Sequence, residues 1–439
     1  MHLPEKAGRS MSAEKYILVG AAIFNGSETQ RMVDISCALQ RLGYKIIFIG
    51  HGKYEALLDG NDFIREYMPE DEAWFTPERI RKMLNYGKYG SDYASYAEID
   101  AVIQAELAII EKYRPCFMLT GYRMSFTVSA RIAGVPLGWC LSAVTSSIYM
   151  EKLRNGLEER HKRYRMLDLE AKKRLFFDKF AADISFSDRT DRVWNQYLKD
   201  HGCELLQKNL DIYTGDLNLM SDAGELFGEG YENDRFVFIG PIFNTRDLPI
   251  QPRAQKALAS KDRRKILVST GTVGRKEVLL TILETLRESD AEIFVSMLGV
   301  LCREDIEAYP ANFHFQRAYP LHKVAGQCDA CVIQGGQGTL YEVAAAGVPF
   351  LSICDLYEQI HNVTNLLQYG KAGKLLLITE GFEEKIPLYL QEILEEPEFK
   401  RQAERLAEVL APYRQAENSA THRAADAIDA FVKRRETSA

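Results

Sequence analysis

The segment VIQGGQGTLYEVAAAGVP, residues 332–349, places Gly335, Gly336 and Gly338 within four positions. A glycine has no side chain to hold a ligand away from the backbone, and the spacing predicts that a helix, 339–346, follows the three glycines. The first turn of a helix presents unpaired N–H groups and the positive end of the helix dipole. The segment therefore predicts a binding site for a phosphate or a pyrophosphate.

Two familiar kinds of phosphate loop do not fit this chain. It has no G-x-x-x-x-G-K-[ST] loop, and no G-x-G-x-x-G opens its first strand–helix–strand unit, which disfavours a P-loop hydrolase and a standard NAD enzyme. A purely structural alternative is a capping box from Thr339 to Glu342, in which both side chains would satisfy the first turn of the helix.

Two more loops bring polar groups toward the same edge of the predicted sheet. The segment DLYEQIHN, 355–362, offers Glu358, Gln359 and Asn362, and STGTVG, 269–274, offers hydroxyls and two glycines. Carboxylates accept hydrogen bonds and amides both donate and accept, which suits a ligand rich in hydroxyls. The three loops together predict a site for a nucleotide joined to a sugar.

The elements that must position these loops are alternating strands and helices. Apolar runs at 15–24 and 44–50 are typical of buried parallel strands, and residues 28–43 between them have helical spacing. The same alternation restarts at residue 264, after a segment with three prolines. The predicted fold class is α/β with two doubly wound domains, whose ligands lie outside the carboxyl ends of the strands.

The predicted elements and domains can be stated by number. Further strands are predicted at 116–120, 136–141, 216–220, 236–240, 265–270, 292–298, 313–316, 330–333 and 348–353, and further helices at 275–288, 321–327, 339–346 and 359–369. The predicted division is a flexible tail at 1–15, an N-terminal domain at 16–242, a linker at 243–263, a C-terminal domain at 264–415 and a C-terminal helix at 416–439. A return of that last helix to the N-terminal domain stays open.

Composition excludes several classes of protein. The 439 residues carry a net charge of -7, whereas a nucleic-acid surface usually shows a basic excess. No run reaches the roughly 18 to 20 apolar residues that cross a bilayer, and no apolar signal segment opens the chain. Eight cysteines scattered through apolar runs are typical of reduced, buried thiols. A cytoplasmic protein that does not bind nucleic acid is expected.

The residues from 150 to 210 are charged and helical. Their most basic part is EKLRNGLEERHKRYR, 151–165. Because acidic residues are interleaved, the solvated face of a helix is the simpler interpretation, and peripheral contact with a membrane surface is the alternative.

Residues 312–372 resemble the nucleotide-sugar-dependent glycosyltransferases of family 1, in particular the bacterial enzymes that glycosylate antibiotics, macrolides and other small molecules. The matching features, in order, are Pro320, CDACVI (328–333), QGGQGT (334–339), Glu342, GVP (347–349) and EQIHN (358–362). Likeness at 193–202 and 235–243 extends the resemblance over most of the chain. It implies the GT-B fold, with two Rossmann-like domains facing each other across a cleft, the first binding the acceptor and the second the nucleotide-sugar donor.

The resemblance also implies roles by position. Gly335, Gly336, Gly338, Thr339 and Thr272 would hold the donor pyrophosphate, Glu342 would bind the ribose, and Glu358 and Gln359 would bind the transferred sugar. Three positions depart from the family. Its phosphate-binding His is Gln334 here, which brings no positive charge, and its Asp of the sugar pair is the longer Glu358. Ala318 stands where many members have an aromatic residue beneath the base, with Tyr319 adjacent.

Inverting transfer needs a base that takes the proton of the acceptor hydroxyl. The family places this base after the first strand, where the present chain has IFNGSETQ, 23–30. Glu28 is the predicted base, since a carboxylate desolvated in a cleft is a better base near neutral pH than the hydroxyl of Ser27. The alternative is that Ser27 or Glu28 simply caps helix 28–42, and His51 is a weaker candidate for the base.

The predicted function is inverting transfer of a sugar from a UDP- or dTDP-linked donor to a hydroxyl of a small molecule, a natural product, with no metal and no cofactor. A nucleotide-sugar epimerase and a non-catalytic partner of an active transferase are the alternatives, the latter because of Gln334. An apolar acceptor cavity lined by Trp139, Phe126 and Tyr149 would favour transfer. The nucleotide, the sugar, a lipid acceptor, and the choice between monomer and homodimer stay open.

Overall fold

The strands form two parallel sheets. The computed structural model describes residues 14–23, 25–71, 79, 94–187, 192–244, 247–271 and 274–438. In these residues the first sheet has seven strands in the order β3-β2-β1-β4-β5-β6-β7, and the second has six in the order β10-β9-β8-β11-β12-β13. Both orders step outward from a central strand and reverse direction beside it, as in doubly wound sheets.

The strand bounds follow the apolar runs. The first sheet contains β1 Tyr16–Gly20, β2 Lys45–Ile49, β3 Ile64–Glu66, β4 Phe117–Thr120, β5 Leu137–Leu141, β6 Leu217–Met220 and β7 Phe236–Phe238. The second contains β8 Lys265–Ser269, β9 Glu292–Ser296, β10 Phe313–Gln316, β11 Ala330–Ile333, β12 Phe350–Cys354 and β13 Gly373–Leu377. Each strand predicted above is present within a few residues, and two strands, β3 and β13, were not predicted.

Helices cover both faces of each sheet. In the first half they are α1 Gly26–Arg41, α2 Tyr96–Tyr113, α3 Ser125–Ala133, α4 Ser147–Lys162, α5 Leu169–Ser185 and α6 Arg192–Asp200. In the second half they are α7 Pro252–Ala259, α8 Lys276–Thr285, α9 Arg303–Ile306, α10 Leu321–Val324, α11 Gln337–Ala345, α12 Tyr357–Tyr369, α13 Lys385–Glu395, α14 Pro397–Leu410 and α15 Ala420–Ser438.

The continuous apolar runs have a direct cause in this layering. Successive residues of a strand point to opposite faces, and Leu18 packs in one core cluster whereas Ile17 and Val19 pack in another on the other face of the same sheet. Since both faces are covered by helices, a strand buried on both sides cannot alternate apolar and polar residues.

The two structural alternatives about helix caps do not hold. Helix α1 is capped by Asn25, whose side-chain oxygen accepts hydrogen bonds from the backbone N–H groups of Ser27 and Glu28, so neither of those residues is the cap. Helix α11 has Gly336 at its N-cap, and no side chain caps it. Thr339 therefore stands inside the first turn, and no Thr339–Glu342 capping box forms.

The final helix packs on the first sheet. Apolar residues of α15, including Ile428 and Val432, are buried in the same cluster as Ile17, and Tyr44 donates a hydrogen bond of 2.9 Å to Asp429. The chain therefore ends against the domain in which it began. In the part of the chain that the structure describes, no helix is both long and apolar enough to span a membrane.

Candidate functional site

The glycine-rich turn lies between β11 and α11, at the carboxyl edge of the second sheet. Gly335 has a φ of +84°, a conformation that L side chains rarely adopt. A Cβ atom there would also lie 2.8 Å from the Val363 side chain and 2.9 Å from the Cys354 sulfur. Gly336 and Gly338 differ, because a Cβ atom on either would meet no atom within 4 Å. Gly335 is thus required by the fold, and the other two leave open space beside the backbone.

A cavity of about 920 Å³ opens in front of this turn. Its walls come from α1 and the loop after β2 in the first domain, from the C-terminal ends of strands in the second sheet, and from the linker. The lining residues include Ser27, Gln30 and Arg31 of α1, Leu248–Gln251 of the linker, Leu298 and Gly299 after β9, Gln316–Leu321 at the end of β10 and directly after it, and Gly338, Thr339 and Glu342 of α11. A space between the two domains with a helix start on one wall can hold an extended, phosphate-bearing ligand.

Glu342 lines this cavity and is buried. Its Oε1 accepts a hydrogen bond of 2.7 Å from the backbone N–H of Asn244 in the linker, and Arg414 lies 3.6 Å from its Oε2. Burial raises the pKa of Glu342 to about 7, although Asn244 and Arg414 act against the rise. Its carboxylate is therefore held at the cavity wall by groups from outside its own helix.

The residues predicted to lie beneath the nucleobase, Ala318 and Tyr319, contribute little aromatic surface to this cavity. Ala318 lines the cavity, as its place in the sequence predicted. Tyr319 packs its ring edge-on against Phe294, with centroids 6.0 Å apart, and its hydroxyl donates to the carbonyl of His314. That ring is committed to the core of the second domain.

Gln334 lies beside a cation that sequence reasoning missed. Its Nε2 is 3.5 Å from Asp355 Oδ1, and the other oxygen of Asp355 pairs with Arg275 at 2.8 Å. Gln334 Oε1 is buried and has no hydrogen-bond partner among the described residues. The positive charge that Gln334 does not supply is thus present one contact away, on Arg275. Arg275 directly follows the loop 269–274, and this position beside a predicted donor loop could have indicated it from the sequence.

The two residues predicted to bind the transferred sugar, Glu358 and Gln359, have different surroundings. Gln359 is buried, and its Oε1 lies 3.4 Å from the N–H of Leu356, where it helps to cap α12. Glu358 is partly buried beside Arg31 of the opposite domain. Burial raises the pKa of Glu358, while Arg31 and a hydrogen bond with Asn362 act against the rise. Glu358 and α1 therefore face each other across the gap between the domains.

Glu28 is buried within the N-terminal domain, behind the cavity wall. Its Oε2 accepts a hydrogen bond of 2.9 Å from the N–H of Ala22, and a Cβ atom on Gly121 would lie 2.8 Å from its Oε1. Burial raises the pKa of Glu28 to about 7, and Arg31 is the first of the groups that oppose the rise. A carboxylate that titrates near neutral pH has the property that a general base requires.

Tyr122 lies close to both Glu28 and Glu358, the latter in the predicted sugar site. Burial raises the pKa of Tyr122, and the charges of Glu358 and Glu28 both add to that rise. Tyr122 is therefore within electrostatic reach of both carboxylates. The loop after β4, which carries Gly121 and Tyr122, was not among the sequence predictions, although its Gly-Tyr pair directly follows a predicted strand.

The other two base candidates are placed differently. Ser27 is exposed on the cavity surface, one residue before Glu28. His51 Nδ1 lies 2.8 Å from Glu55 Oε2, and the imidazole contacts the ring of Tyr67 edge-on. Neither His51 nor Glu55 lines the cavity described above. Thr272, predicted to contact the pyrophosphate, lies outside the described residues.

The predicted acceptor cavity was wrong, since none of its three residues lines the cavity described above and all three are buried. Phe126 and Trp139 are fully buried in the core of the first domain, and the indole of Trp139 donates to Thr127. Tyr149 instead lies at the domain interface, where its hydroxyl is 3.1 Å from His361 Nδ1 of α12. Large aromatic residues in strand runs are more often core residues than cavity walls.

Asp222 joins the two domains. Its carboxylate accepts hydrogen bonds from the Ala143 N–H in its own domain, and from Gln337 Nε2 and the Tyr341 hydroxyl in α11, at 2.7, 2.8 and 2.8 Å. Gln337 stands between Gly336 and Gly338, so the same turn that borders the cavity also fixes the domains relative to each other. A buried carboxylate with three or more donors is well satisfied.

Comparisons with known proteins agree with this architecture. Residues 280–418 match the family described as erythromycin biosynthesis protein CIII-like, C-terminal domain. The chain is 24% identical over 412 residues to a PGL/p-HBAD biosynthesis rhamnosyltransferase of Mycobacterium bovis (strain BCG / Pasteur 1173P2), covering 92% of this chain and 86% of the relative.

Two solved structures show the same fold. The glycotransferase of kitacinnamycin superposes with a TM-score of 0.69 at 16% identity, covering 95% of this chain and 99% of that one. A spinosyn rhamnosyltransferase complexed with thymidine diphosphate superposes with a TM-score of 0.60 at 14% identity, covering 90% and 96%. Two parallel sheets that face one cavity are the GT-B arrangement. The chain is a glycosyltransferase, and its sequence is similar to family-1 nucleotide-sugar glycosyltransferases, among them enzymes of antibiotic biosynthesis.

Proposed function

We propose that the protein transfers a sugar from a dTDP- or UDP-linked donor to a hydroxyl of a small natural-product acceptor, with inversion and without a metal. The observation that carries this proposal is the cavity itself. One wall is the glycine-bordered start of α11, and Glu28, with a pKa of about 7, lies behind the opposite wall. Donor and base are thereby assigned to different domains, so that the acceptor binds between them.

The reaction follows from this placement. The acceptor oxygen attacks the anomeric carbon while Glu28 takes its proton, and the bond from that carbon to the diphosphate breaks. A single displacement of this kind inverts the anomeric centre. The electron pair leaves with the diphosphate, whose added charge is stabilised by the N–H groups and dipole of α11. Arg275, held 2.8 Å from Asp355, adds a cation on the side where Gln334 brings none.

The donor is proposed to be dTDP-linked in the first instance. The M. bovis relative is named a rhamnosyltransferase, and a solved structure of the same fold contains thymidine diphosphate. Both of those proteins are named as transferases, which supports transfer over the epimerase alternative. We infer that Glu342 accepts hydrogen bonds from the ribose hydroxyls in exchange for those it now receives, and that Glu358 contacts the sugar.

A thermal-shift titration tests the donor site. The protein is titrated with dTDP, UDP and GDP and with their sugar conjugates, and we expect stabilisation that grows with ligand concentration, by about 2.7 kcal/mol at a hundredfold excess over Kd. Glu342→Ala is expected to abolish the response to nucleotides and conjugates alike. Glu358→Ala is the matched control, because it should remove only the extra stabilisation that the sugar brings. No response to any nucleotide would contradict the donor site.

A second prediction concerns Arg31 and the pH dependence of transfer. Since the charge of Arg31 opposes the rise in the pKa of Glu28, Arg31→Met is expected to move that pKa above 7. The acidic limb of the kcat/KM profile should then shift to higher pH, with activity at pH 7 reduced several-fold and partly recovered at pH 8 to 9. Arg41→Met, at the other end of α1 beside His422, is the control. If the acidic limb of Arg31→Met stays at the wild-type pH, Arg31 does not influence the pKa of the base.

A further inference from the structure

Residues 160–180 form a surface that the proposed transfer does not use. This surface, called the 160–180 surface below, covers the end of α4, the turn after it and the first three turns of α5. Its solvent side carries large apolar side chains, of which Met166 is 86% exposed and Phe176 68% exposed. The full set of exposed large apolar residues within it is Tyr164, Met166, Leu169, Phe176 and Phe180. The simpler prediction, a solvated polar helix face, does not account for them.

The exposed residues of α5 share one face. Phe176 follows Leu169 by seven residues and Phe180 follows Phe176 by four, which at about 100° per residue places all three within a narrow stripe. The opposite face is committed to the protein, since Leu175, Ala181 and Ala182 are buried there. The apolar stripe is therefore additional to the side that holds the helix in place.

The same surface is strongly basic. Residues 160–180 contain eight Lys and Arg against three Asp and Glu, a net charge of +5 in a chain whose total is -7. Arg160 is paired with Asp178, and Lys173 donates to Thr379 at 3.3 Å, but the excess remains. Apolar side chains surrounded by cations are what a helix at the lipid–water interface presents.

We propose that the 160–180 surface binds bilayers that contain anionic lipids. Exposed aromatic and aliphatic side chains would enter the boundary of the acyl chains, and the excess of Lys and Arg would meet the lipid phosphates. A second copy of this chain is the poorer occupant. In a two-fold dimer the same patch contacts itself, which would oppose two surfaces of charge +5.

The surface adjoins the cleft. On the buried face of α5, Asp178 lies 3.2 Å from His361 of α12, the helix that also carries Glu358. A bilayer bound to α5 would therefore lie beside the opening between the domains, where an acceptor with an alkyl chain could enter directly. Binding itself is independent of the donor and the base proposed above.

Vesicle sedimentation tests the proposal. The full chain is mixed with vesicles of phosphatidylcholine alone, or of phosphatidylcholine with phosphatidylglycerol, and we expect it to sediment only with the second kind and to be released by salt. Phe176→Gln with Phe180→Gln should lower the partition coefficient about tenfold or more, since two apolar insertions are lost. Leu388→Gln with Tyr369→Gln is the matched control, because both residues are exposed apolar positions elsewhere. Unchanged melting temperatures establish that both variants fold.

Three outcomes would overturn the proposal. The first is no sedimentation with either kind of vesicle, and the second is equal binding by the two double variants. The third is a wild-type protein that does not bind vesicles but forms a dimer in light scattering, with Phe176→Gln and Phe180→Gln dissociating that dimer. The surface would then bind a second copy of the chain. Donor binding in the thermal-shift titration is unaffected by any of these outcomes, so the two proposals fail separately.

Discussion

Glu28→Gln is expected to lower kcat for sugar transfer about a thousandfold while leaving the affinity for the donor nucleotide unchanged. Gln keeps the shape of the side chain, and its oxygen can still accept the hydrogen bond from the Ala22 N–H. It cannot accept the proton of the acceptor hydroxyl. The measurement is a steady-state rate with the donor that the thermal-shift titration identifies, with dTDP or UDP affinity measured on the same preparation.

The pH dependence sharpens this prediction. Because Glu28 acts as a base only when ionised, wild-type kcat/KM should rise with pH and level off above the Glu28 pKa of about 7. The residual activity of Glu28→Gln should lack this limb. A transfer rate that is unaffected by Glu28→Gln, or a limb that survives in the variant, would assign the base elsewhere.

Glu28→Gln should lower kcat but raise the stability of the folded chain above neutral pH. The pKa of Glu28 is about 7 in the folded chain against 4.5 for an exposed carboxyl, so between these pH values the folded state binds the proton more tightly than the unfolded state does. The free energy of unfolding therefore falls as pH rises through this window, by up to about 3 kcal/mol from this group. At pH 8, Glu28→Gln should be more stable than the wild type, and the difference should disappear below pH 4.5.

Ser27→Ala provides the neighbouring control. Ser27 is exposed on the cavity wall and its hydroxyl has no role in capping α1, which depends on Asn25. We expect wild-type kcat, within a factor of about three, and no change in the pH profile. Loss of transfer in Ser27→Ala with activity retained in Glu28→Gln would reverse the assignment of the base.

The fold was largely predictable because its strands are buried on both faces. A run such as Ile17–Val19 has only apolar positions, and such runs interrupted by helical spacing identify a doubly wound sheet. Of the two missed strands, β13 carries the apolar run Leu375–Leu377 and could have been predicted, whereas β3 lacks that signal. β3 spans three residues and includes charged Arg65 and Glu66, and it pairs only at the edge of its sheet, beside β2.

The site was less predictable, because its parts come together only in three dimensions. The glycine segment and Glu342 could be found from local pattern and family resemblance. Arg31 and Asp222 could not, since each is one charged or polar residue in a helix or a loop, and only the packing of one domain on the other brings them to Glu358 and to α11. The prediction that Phe126 and Trp139 line an acceptor cavity was wrong because residue type alone does not distinguish a cavity wall from a core.

Substitutions of the three glycines are expected to separate a structural role from contact with the diphosphate. Gly338→Ala places a methyl group in open space within the first turn of α11, and Ala in a helix is more stable than Gly by about 0.5 to 1 kcal/mol. Gly336 has a φ of -60° and a ψ of 137°, which Ala adopts without strain. Both variants should therefore fold at least as well as the wild type.

Their donor affinity should nevertheless fall. If the diphosphate lies against this backbone, each methyl group occupies ligand space, and we expect the Kd for dTDP or UDP, measured by calorimetry, to rise tenfold or more. Gly156→Ala is the matched control, because Gly156 is also in a helix with open space around its Cβ position and lies in α4, remote from the glycine turn. It should change stability as Gly338→Ala does and leave the Kd unchanged.

Gly335→Ala completes the series with the reverse pattern. Its φ of +84° disfavours any L side chain, and the new methyl group would lie within 3 Å of Val363, Cys354 and Ser352. We expect a loss of about 3 kcal/mol in the free energy of unfolding, together with weaker donor binding. Stable Gly336→Ala and Gly338→Ala variants that bind nucleotides as the wild type does would exclude the diphosphate from the start of α11. Weak binding in stable variants would place it there, since neither the fold nor the helix propensity then explains the loss.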